Sequence, residues 1–451
     1  MKTAGIIFLV LLVVLFALIG VLYATRGTPL RGVRAVGEDK GRVAITDPLF
    51  APTISLLTTT SLGPAGEVEL LTNGDETYPR LWDDLRSATR SITLQMYYAQ
   101  PGKVANTLKD ILLDRVRAGV RVLFLHDAFG SQNLTKEYLD SLRVAGVEIA
   151  VFRPVHWYSL HKAQHRSHIR VVVVDGAVAY TGGFGLDDKW LGDGRTGEAW
   201  RDTNVRFTGP AVLQLQATFA AGWVEATGQL ITGDIFFPLE PVEPKHTGKS
   251  NGPVRADSGR KSQPELIEAR LSGIMHAAPT IGSTPAERFL ALSIAAASKT
   301  LYIANSYFVP DDDFRRLLGD AARRGVDVRV LTTSDKTDVK TTWYAGRSTY
   351  EELLSAGVRV YEYQPSMMHA KTISVDGIWS TVGTMNFDNR SMVFNDESNL
   401  LVLDREFGAA MDSVFLQDLQ YAKEITLEEF RRRPWTKKLA EKLARGIARL
   451  L

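Results

Sequence analysis

The sequence predicts an α/β protein: two homologous halves fused in one chain, each an α/β sandwich built on a mostly parallel sheet. Three observations carry that prediction. One histidine pattern is written twice about two hundred residues apart, as HIRVVVVDGAVAYTGGFGLD from His168 and as HAKTISVDGIWSTVGTMNFD from His369. A helix–glycine–strand order recurs before both copies: Ala118-Gly119-Val120 answers Arg324-Gly325-Val326, and Ala145-Gly146-Val147 answers Ala356-Gly357-Val358. Helices and strands alternating at these spacings belong to packed α/β layers. A stretch rich in Pro, Gly, Ser and charge, residues 239–270, separates the repeats.

The segments follow in order. Residues 1–26 read as a transmembrane anchor, because no charge occurs from Thr3 to Thr25. About 20 helical residues cover ~30 Å, the thickness of the hydrocarbon core. A cleaved signal peptide would have a shorter apolar core and a small residue where Leu22 stands. Arg26, Arg31 and Arg34 follow the segment, against Lys2 before it, which places the carboxyl side in the cytoplasm of a single-pass membrane protein. Residues 27–65 lack clear periodicity and read as a tether with room for short structure.

The first domain is expected over 66–238, with a helix from Pro79 to Thr89 leading into the strand Ser91–Tyr98. The second is expected over 271–425, where Pro285–Ser298 and Leu301–Phe308 repeat that order. Residues 426–451 form a basic amphipathic tail. Trp435, Leu439, Leu443, Ile447 and Leu450 fall at helical spacing, with Lys437, Lys438, Lys442, Arg445 and Arg449 mostly off that face. Such a helix suits an anionic membrane surface, or packs its apolar face on the protein.

Composition narrows the chemistry. The 451 residues carry a net charge of +2, far from the strongly basic balance of a nucleic-acid-binding domain. Cysteine is absent, which excludes disulfides and thiolate metal sites. His161, His165 and His168 have a spacing seen in zinc sites, but they lie in a loop entering a strand and need not share a face. No metal is predicted.

Along a strand, positions i and i+2 point to the same side. His168 with Arg170, and His369 with Lys371, therefore each aim an imidazole and a cation at one spot. Two such spots facing each other make a pocket for a phosphodiester. One neutral histidine can attack phosphorus while the other, protonated, serves the leaving alcohol. Lys371 and Arg170 would neutralise the phosphate oxygens. Thr384, Asn386 and Gly183 complete the expected substrate-binding set. Each imidazole also needs a partner for its second nitrogen. Acid-x-Asn-aliphatic occurs after both motifs, which nominates Asp202 and Glu397. Asp175 and Asp376 close the motif strands and are counted with the catalytic set, in a role closer to holding the turn than to moving protons.

The doubled pattern H-x-K-x4-D-x6-G-[ST]-x-N resembles the phospholipase D superfamily. The strings WRDTNVRFTGPAV, ATGQLITGDIFFP and NFDNRSMVFNDESNLLVLD are similar to bacterial cardiolipin synthases, so that the resemblance covers roughly residues 66–440. It implies a membrane-bound phosphatidyltransferase acting on phospholipids such as phosphatidylglycerol, through a covalent phosphohistidine and without metal or nucleotide cofactor. It also implies an orienting role for the carboxylates, with His168 as nucleophile and His369 as acid. The first motif departs from the pattern in two places: Arg170 replaces lysine and Gly185 stands where asparagine is expected. A hydrolase releasing phosphatidic acid is the alternative, ahead of a nuclease or a lipid-binding scaffold. The repeat supplies both half-sites in one chain, so the chemistry requires no second copy. Two aromatic and basic loops, residues 155–166 with Trp157 and residues 336–347 with Trp343, read as a lip for lipid entry.

Overall fold

A computed structural model describes residues 2–24, 44–154, 164–196, 198–240, 270–280 and 283–447. Ahead of the repeats come α1 (Lys2–Ala24), α2 (Phe50–Thr58) and the short strand β1 (Gly63–Pro64). The first half runs β2 (Val68–Thr72), α3 (Asn73–Ser87), β3 (Ser91–Met96), α4 (Lys103–Arg117), β4 (Arg121–Asp127), α5 (Lys136–Ala145) and β5 (Glu148–Phe152). It closes with β6 (Val171–Val174), β7 (Val178–Gly182), β8 (Thr203–Thr208) and α6 (Pro210–Thr227). The second half opens with β9 (Leu271–Ala277), α7 (Pro285–Ala296), β10 (Thr300–Asn305), α8 (Asp312–Arg323) and β11 (Asp327–Thr333). Next are α9 (Lys340–Arg347), α10 (Tyr350–Ser355), β12 (Arg359–Tyr363), β13 (Lys371–Val375), β14 (Trp379–Gly383) and β15 (Glu397–Leu403). The chain ends through α11 (Arg405–Leu419), β16 (Ala422–Ile425), α12 (Leu427–Arg431) and α13 (Trp435–Ile447).

Strand order shows the repeat directly. Among the described residues one sheet reads β2-β8-β7-β6-β3-β4-β5, and the other contains the same series as β9-β15-β14-β13-β10-β11-β12, with β1 and β16 added at its edges. The sheets are mixed rather than mostly parallel. Only β3–β4–β5 and β10–β11–β12 run parallel, and every other pairing is antiparallel. The physical reason is a pair of tight hairpins. Asp175 and Gly176 (φ 55° and 66°), like Asp376 and Gly377 (φ 55° and 62°), place two successive residues in the left-handed region. Three residues separate the last paired positions of each hairpin, Val174 from Val178 and Val375 from Trp379, so the chain turns straight back beside itself.

Helices α3, α4 and α5 cover one sheet and α7, α8 and α10 the other, each over its own apolar cluster. The opposite faces of the two sheets share a third cluster. Leu125, Val173, Phe207 and Phe219 come to it from the first half, and Ile274, Val382, Leu400 and Met411 from the second. Each such side chain taken out of water stabilises the seam by roughly 1.5–3 kcal/mol before entropy is counted. The halves are therefore one packed body.

Three segments bear on the expectations for the two ends of the chain. Helix α1 is continuous, and its side chains over residues 4–20 are exposed apart from a half-buried Leu12. Among the described residues no helix is long and apolar enough to cross a membrane, so the expected span is not supported. Part of the expected tether is structured: Phe50 and Ile54 of α2 are fully buried, and Phe50 meets Trp379 edge-on at 5.2 Å. Pro52 masks this helix in the sequence, yet it sits in the first turn, where its missing N–H breaks no bond. In the tail, α13 packs on α9 through buried Glu441, which pairs with Arg347 (3.3 Å) and Arg433 (2.7 Å). Trp435 (72% exposed), Leu439 and Leu443 are left facing outward. Most of the linker, residues 241–269, lies outside the described residues, as does Trp157.

Candidate active site

The histidine segments are stitched to the opposite half by backbone. Ser167 bridges Asp396, and the His168 N–H donates to the Asp396 carbonyl at 2.9 Å. Symmetrically, Met368 bridges Arg201, and the His369 N–H donates to the Arg201 carbonyl at 2.7 Å. The residue after each bridge partner is a carboxylate. Glu397 thus lies 3.0 Å by either oxygen from His168 Nδ1, and Asp202 Oδ2 lies 2.8 Å from His369 Nδ1. Each histidine is held by the half that does not contain it. A carboxylate accepting at Nδ1 puts the proton there and leaves the Nε2 lone pair free.

The cations follow the same symmetry. Arg170 donates to the His168 carbonyl (2.8 Å) and the Phe184 carbonyl (3.0 Å). Lys371 donates to the His369 carbonyl and to Ser306 Oγ, both at 2.6 Å. All four side chains are buried. Burial, then the fields of Arg170 and Lys371, holds both histidines well below the usual imidazole range. Each cation acts on both imidazoles, and His168 acts on His369, so the two half-sites are one electrostatic site. Burial also pushes Glu397 up to about 7, raises Asp202 and brings Lys371 down to about 7. A buried cluster of nucleophilic imidazoles, cations and carboxylates suits an anionic tetrahedral centre.

A family profile described as "Cardiolipin synthase, PLD-like domain" matches residues 81–223 and 290–419, more than half of the chain. The chain belongs to the cardiolipin synthase family of phospholipase D-like proteins. It is 35% identical over 389 residues to a cardiolipin synthase of Geobacillus kaustophilus, covering 86% of this chain and 73% of that one. It is also 35% identical over 386 residues to cardiolipin synthase 2 of Bacillus anthracis, covering 85% and 71%. A crystal structure of the phosphatidylserine synthase of Haemophilus influenzae shares the fold, with a TM-score of 0.66, 14% identity, and coverage of 89% of this chain and 100% of that one.

In this phospholipase D-like chain the remaining predicted residues take other places. Thr384 Oγ1 donates to Glu397 Oε2 at 2.6 Å, so its hydroxyl steadies the carboxylate rather than waiting for substrate. Gly183 holds the matching position of the first half. A Cβ there would stand 2.3 Å from Asp202 Oδ1, so the bare glycine makes room for that carboxylate. Trp190 Nε1 donates to Asp202 Oδ2 at 2.8 Å and supplies the bond that Thr384 supplies opposite. Asn386 is buried, and its Oδ1 has no hydrogen-bond partner among the described residues. Asp175 and Asp376 are not brought to the site. They lie five positions beyond the cations, roughly 16 Å along extended strands, and accept the backbone N–H groups of residues 89–91 and 298–300. His165 Nδ1 pairs with the Phe394 carbonyl at 3.1 Å, and His161 lies outside the described residues. Trp343 is no free lip residue: it is half-buried in α9 with Glu362 3.3 Å from its indole nitrogen.

Several neighbours escaped the sequence reading. The ring of Tyr97 stands edge-on to His168 at 5.0 Å, and those of Trp190 and Trp200 lie 5.3 and 4.9 Å from His369. Lys189 and Arg390 hold equivalent places in the repeat, as Gly-Leu-Asp-Asp-Lys against Asn-Phe-Asp-Asn-Arg. That signal was present, four residues past the point where the motif ends.

Proposed function

We propose that this phosphatidyltransferase carries a phosphatidyl group on one histidine and delivers it to the hydroxyl of a second phospholipid, forming cardiolipin from two phosphatidylglycerols. His168 attacks phosphorus through Nε2. A P–N bond forms as the P–O bond to the headgroup alcohol breaks, and protonated His369 gives its proton to the departing oxygen. The acceptor hydroxyl then loses its proton to the neutral His369 and attacks phosphorus, and the P–N bond breaks. Arg170 and Lys371 offset charge on the non-bridging oxygens throughout. The bound anion in turn offsets their repulsion of a protonated His369, whose proton affinity rises when substrate arrives.

The observation that carries this reading is the crossed pairing, in which each imidazole is oriented by a carboxylate from the other half beside cations that act on both. The names of the curated relatives support the lipid substrates. Attachment to a lipid surface, with the catalytic body on the cytoplasmic side, is part of the same proposal. It is supported by the exposed apolar residues of α1 and the exposed Trp435, Leu439 and Leu443 of α13. The decisive test is lipid mass spectrometry of a host lacking cardiolipin that expresses the parent chain or His369→Ala. New cardiolipin is expected with the parent alone. Phosphatidic acid in its place would make the chain a hydrolase and overturn the proposal.

A further inference from the structure

Lys189 sits in a 3-10 turn, Asp188–Trp190, pinned from both sides. Asp188 accepts the backbone N–H groups of Lys103 and Val104 at the start of α4 (3.0 and 2.9 Å), and the Lys189 carbonyl accepts the N–H of Trp200 at 2.7 Å. From this turn Lys189 Nζ lies 3.8 Å from the ring centre of Tyr98, 3.9 Å from that of Trp200 and 5.1 Å from that of Trp190. Its nearest carboxylate oxygen, on Asp187, is 3.8 Å away, a loose pair that leaves the ammonium to the aromatic faces. Two of the three rings are those packed on His369.

Three aromatic faces within about 6 Å of one point form the cage that recognises alkylammonium ions. Here the chain fills the cage with its own cation. We infer that Lys189 is a headgroup filter, which admits lipids whose headgroup is a neutral polyol and turns away those whose headgroup carries an ammonium. The inference rests on the reading of His369 as the acid serving the departing alcohol, since that places the headgroup against these rings. A glycerol headgroup brings hydroxyl oxygens that accept from Nζ. A choline or ethanolamine headgroup brings a second positive charge to a cage already occupied. Among the described residues Arg390, at the equivalent position of the other half, has no such cage: it begins a π-helical turn and reaches the Gln164 carbonyl at 3.4 Å.

The test has two readouts on the purified full chain. Free choline is titrated against tryptophan fluorescence, which requires no turnover. Lys189→Ala empties the cage and Lys189→Gln removes its charge; Lys189→Arg retains the charge, and Lys136→Gln is an exposed control. The alanine variant is expected to bind choline at least tenfold more tightly than the parent, with the arginine variant matching the parent. Vesicles of phosphatidylglycerol mixed with phosphatidylcholine then report headgroup release. The ratio of choline to glycerol released is expected to rise at least tenfold in Lys189→Ala and Lys189→Gln, and not in Lys189→Arg or Lys136→Gln. An unchanged choline affinity in both uncharged variants overturns the filter, as does an equal change in Lys189→Arg. Gained choline binding without any transfer by the parent would leave the cage assignment standing and remove the proposed reaction instead.

Discussion

The bond between Glu397 and His168 is the most consequential single contact, because it decides which imidazole nitrogen is free. Glu397→Gln keeps the shape but offers an amide that can donate to Nδ1, moving the ring proton to Nε2. Loss of a tautomer-setting carboxylate costs about 10⁴ in kcat in the serine protease triad, and a loss on the order of 10³–10⁴ is expected here. Steady-state transfer on phosphatidylglycerol vesicles checks this, together with a melting curve; a loss below tenfold in a folded variant would remove the orienting role. At this scale much of the site was readable. His168, His369, Arg170, Lys371, Asp202 and Glu397 all follow from the doubled pattern, and the structure gathers them. Their crossing was not readable, since a repeat in sequence carries no statement about which copy serves which. Thr384 and Gly183 were misread for a related reason. A hydroxyl can serve substrate or carboxylate equally, and a glycine announces a close approach without naming what approaches.

At the scale of elements, the two Asp-Gly hairpins shape the sheets. Asp376 combines a positive φ with acceptance of three consecutive N–H groups at the start of β10. Hydrogen bonds to a charged acceptor contribute about 1.5–3 kcal/mol each, in part replaceable by water at this exposed end. Asp376→Ala is therefore expected to destabilise the fold by roughly 2–4 kcal/mol, while transfer per folded molecule persists. Chemical denaturation read alongside kcat separates the two effects, and a catalytic collapse without loss of stability would return Asp376 to the chemistry. The hairpins also explain the error in sheet direction. Helix–strand alternation holds only as far as β5 and β12, and the Asp-Gly pairs between apolar runs signal reversal thereafter. Helix α13 shows a second limit of sequence reading. Its periodicity is legible, but not which stripe would be buried, because the buried Glu441 and its arginine partners outcompete the apolar face. Replacing Trp435, Leu439 and Leu443 together by serine is expected to reduce binding to anionic vesicles at least tenfold in a flotation assay and leave the fold intact. Unchanged flotation would exclude α13 as a lipid contact.

For the molecule as a whole, the candidate site is a property of the seam. Neither sheet holds a complete acid–base pair, and the shared apolar layer keeps the two incomplete halves in register. The repeat foretold two halves; that they would interlock needed the coordinates, since Asp202 and Glu397 are distant in sequence from the histidines they serve. The crossed arrangement also bears on ancestry. Two identical copies of a single half, each lending its acid to the other's imidazole, would already make a working enzyme, though one obliged to treat both sides of a phosphorus alike. Joining the copies by a peptide lifts that obligation. Arginine opposite lysine and glycine opposite threonine are differences that two identical copies could not hold and a joined pair can accumulate. On the proposed mechanism, fusion is what would let one histidine specialise in attack and the other in proton transfer.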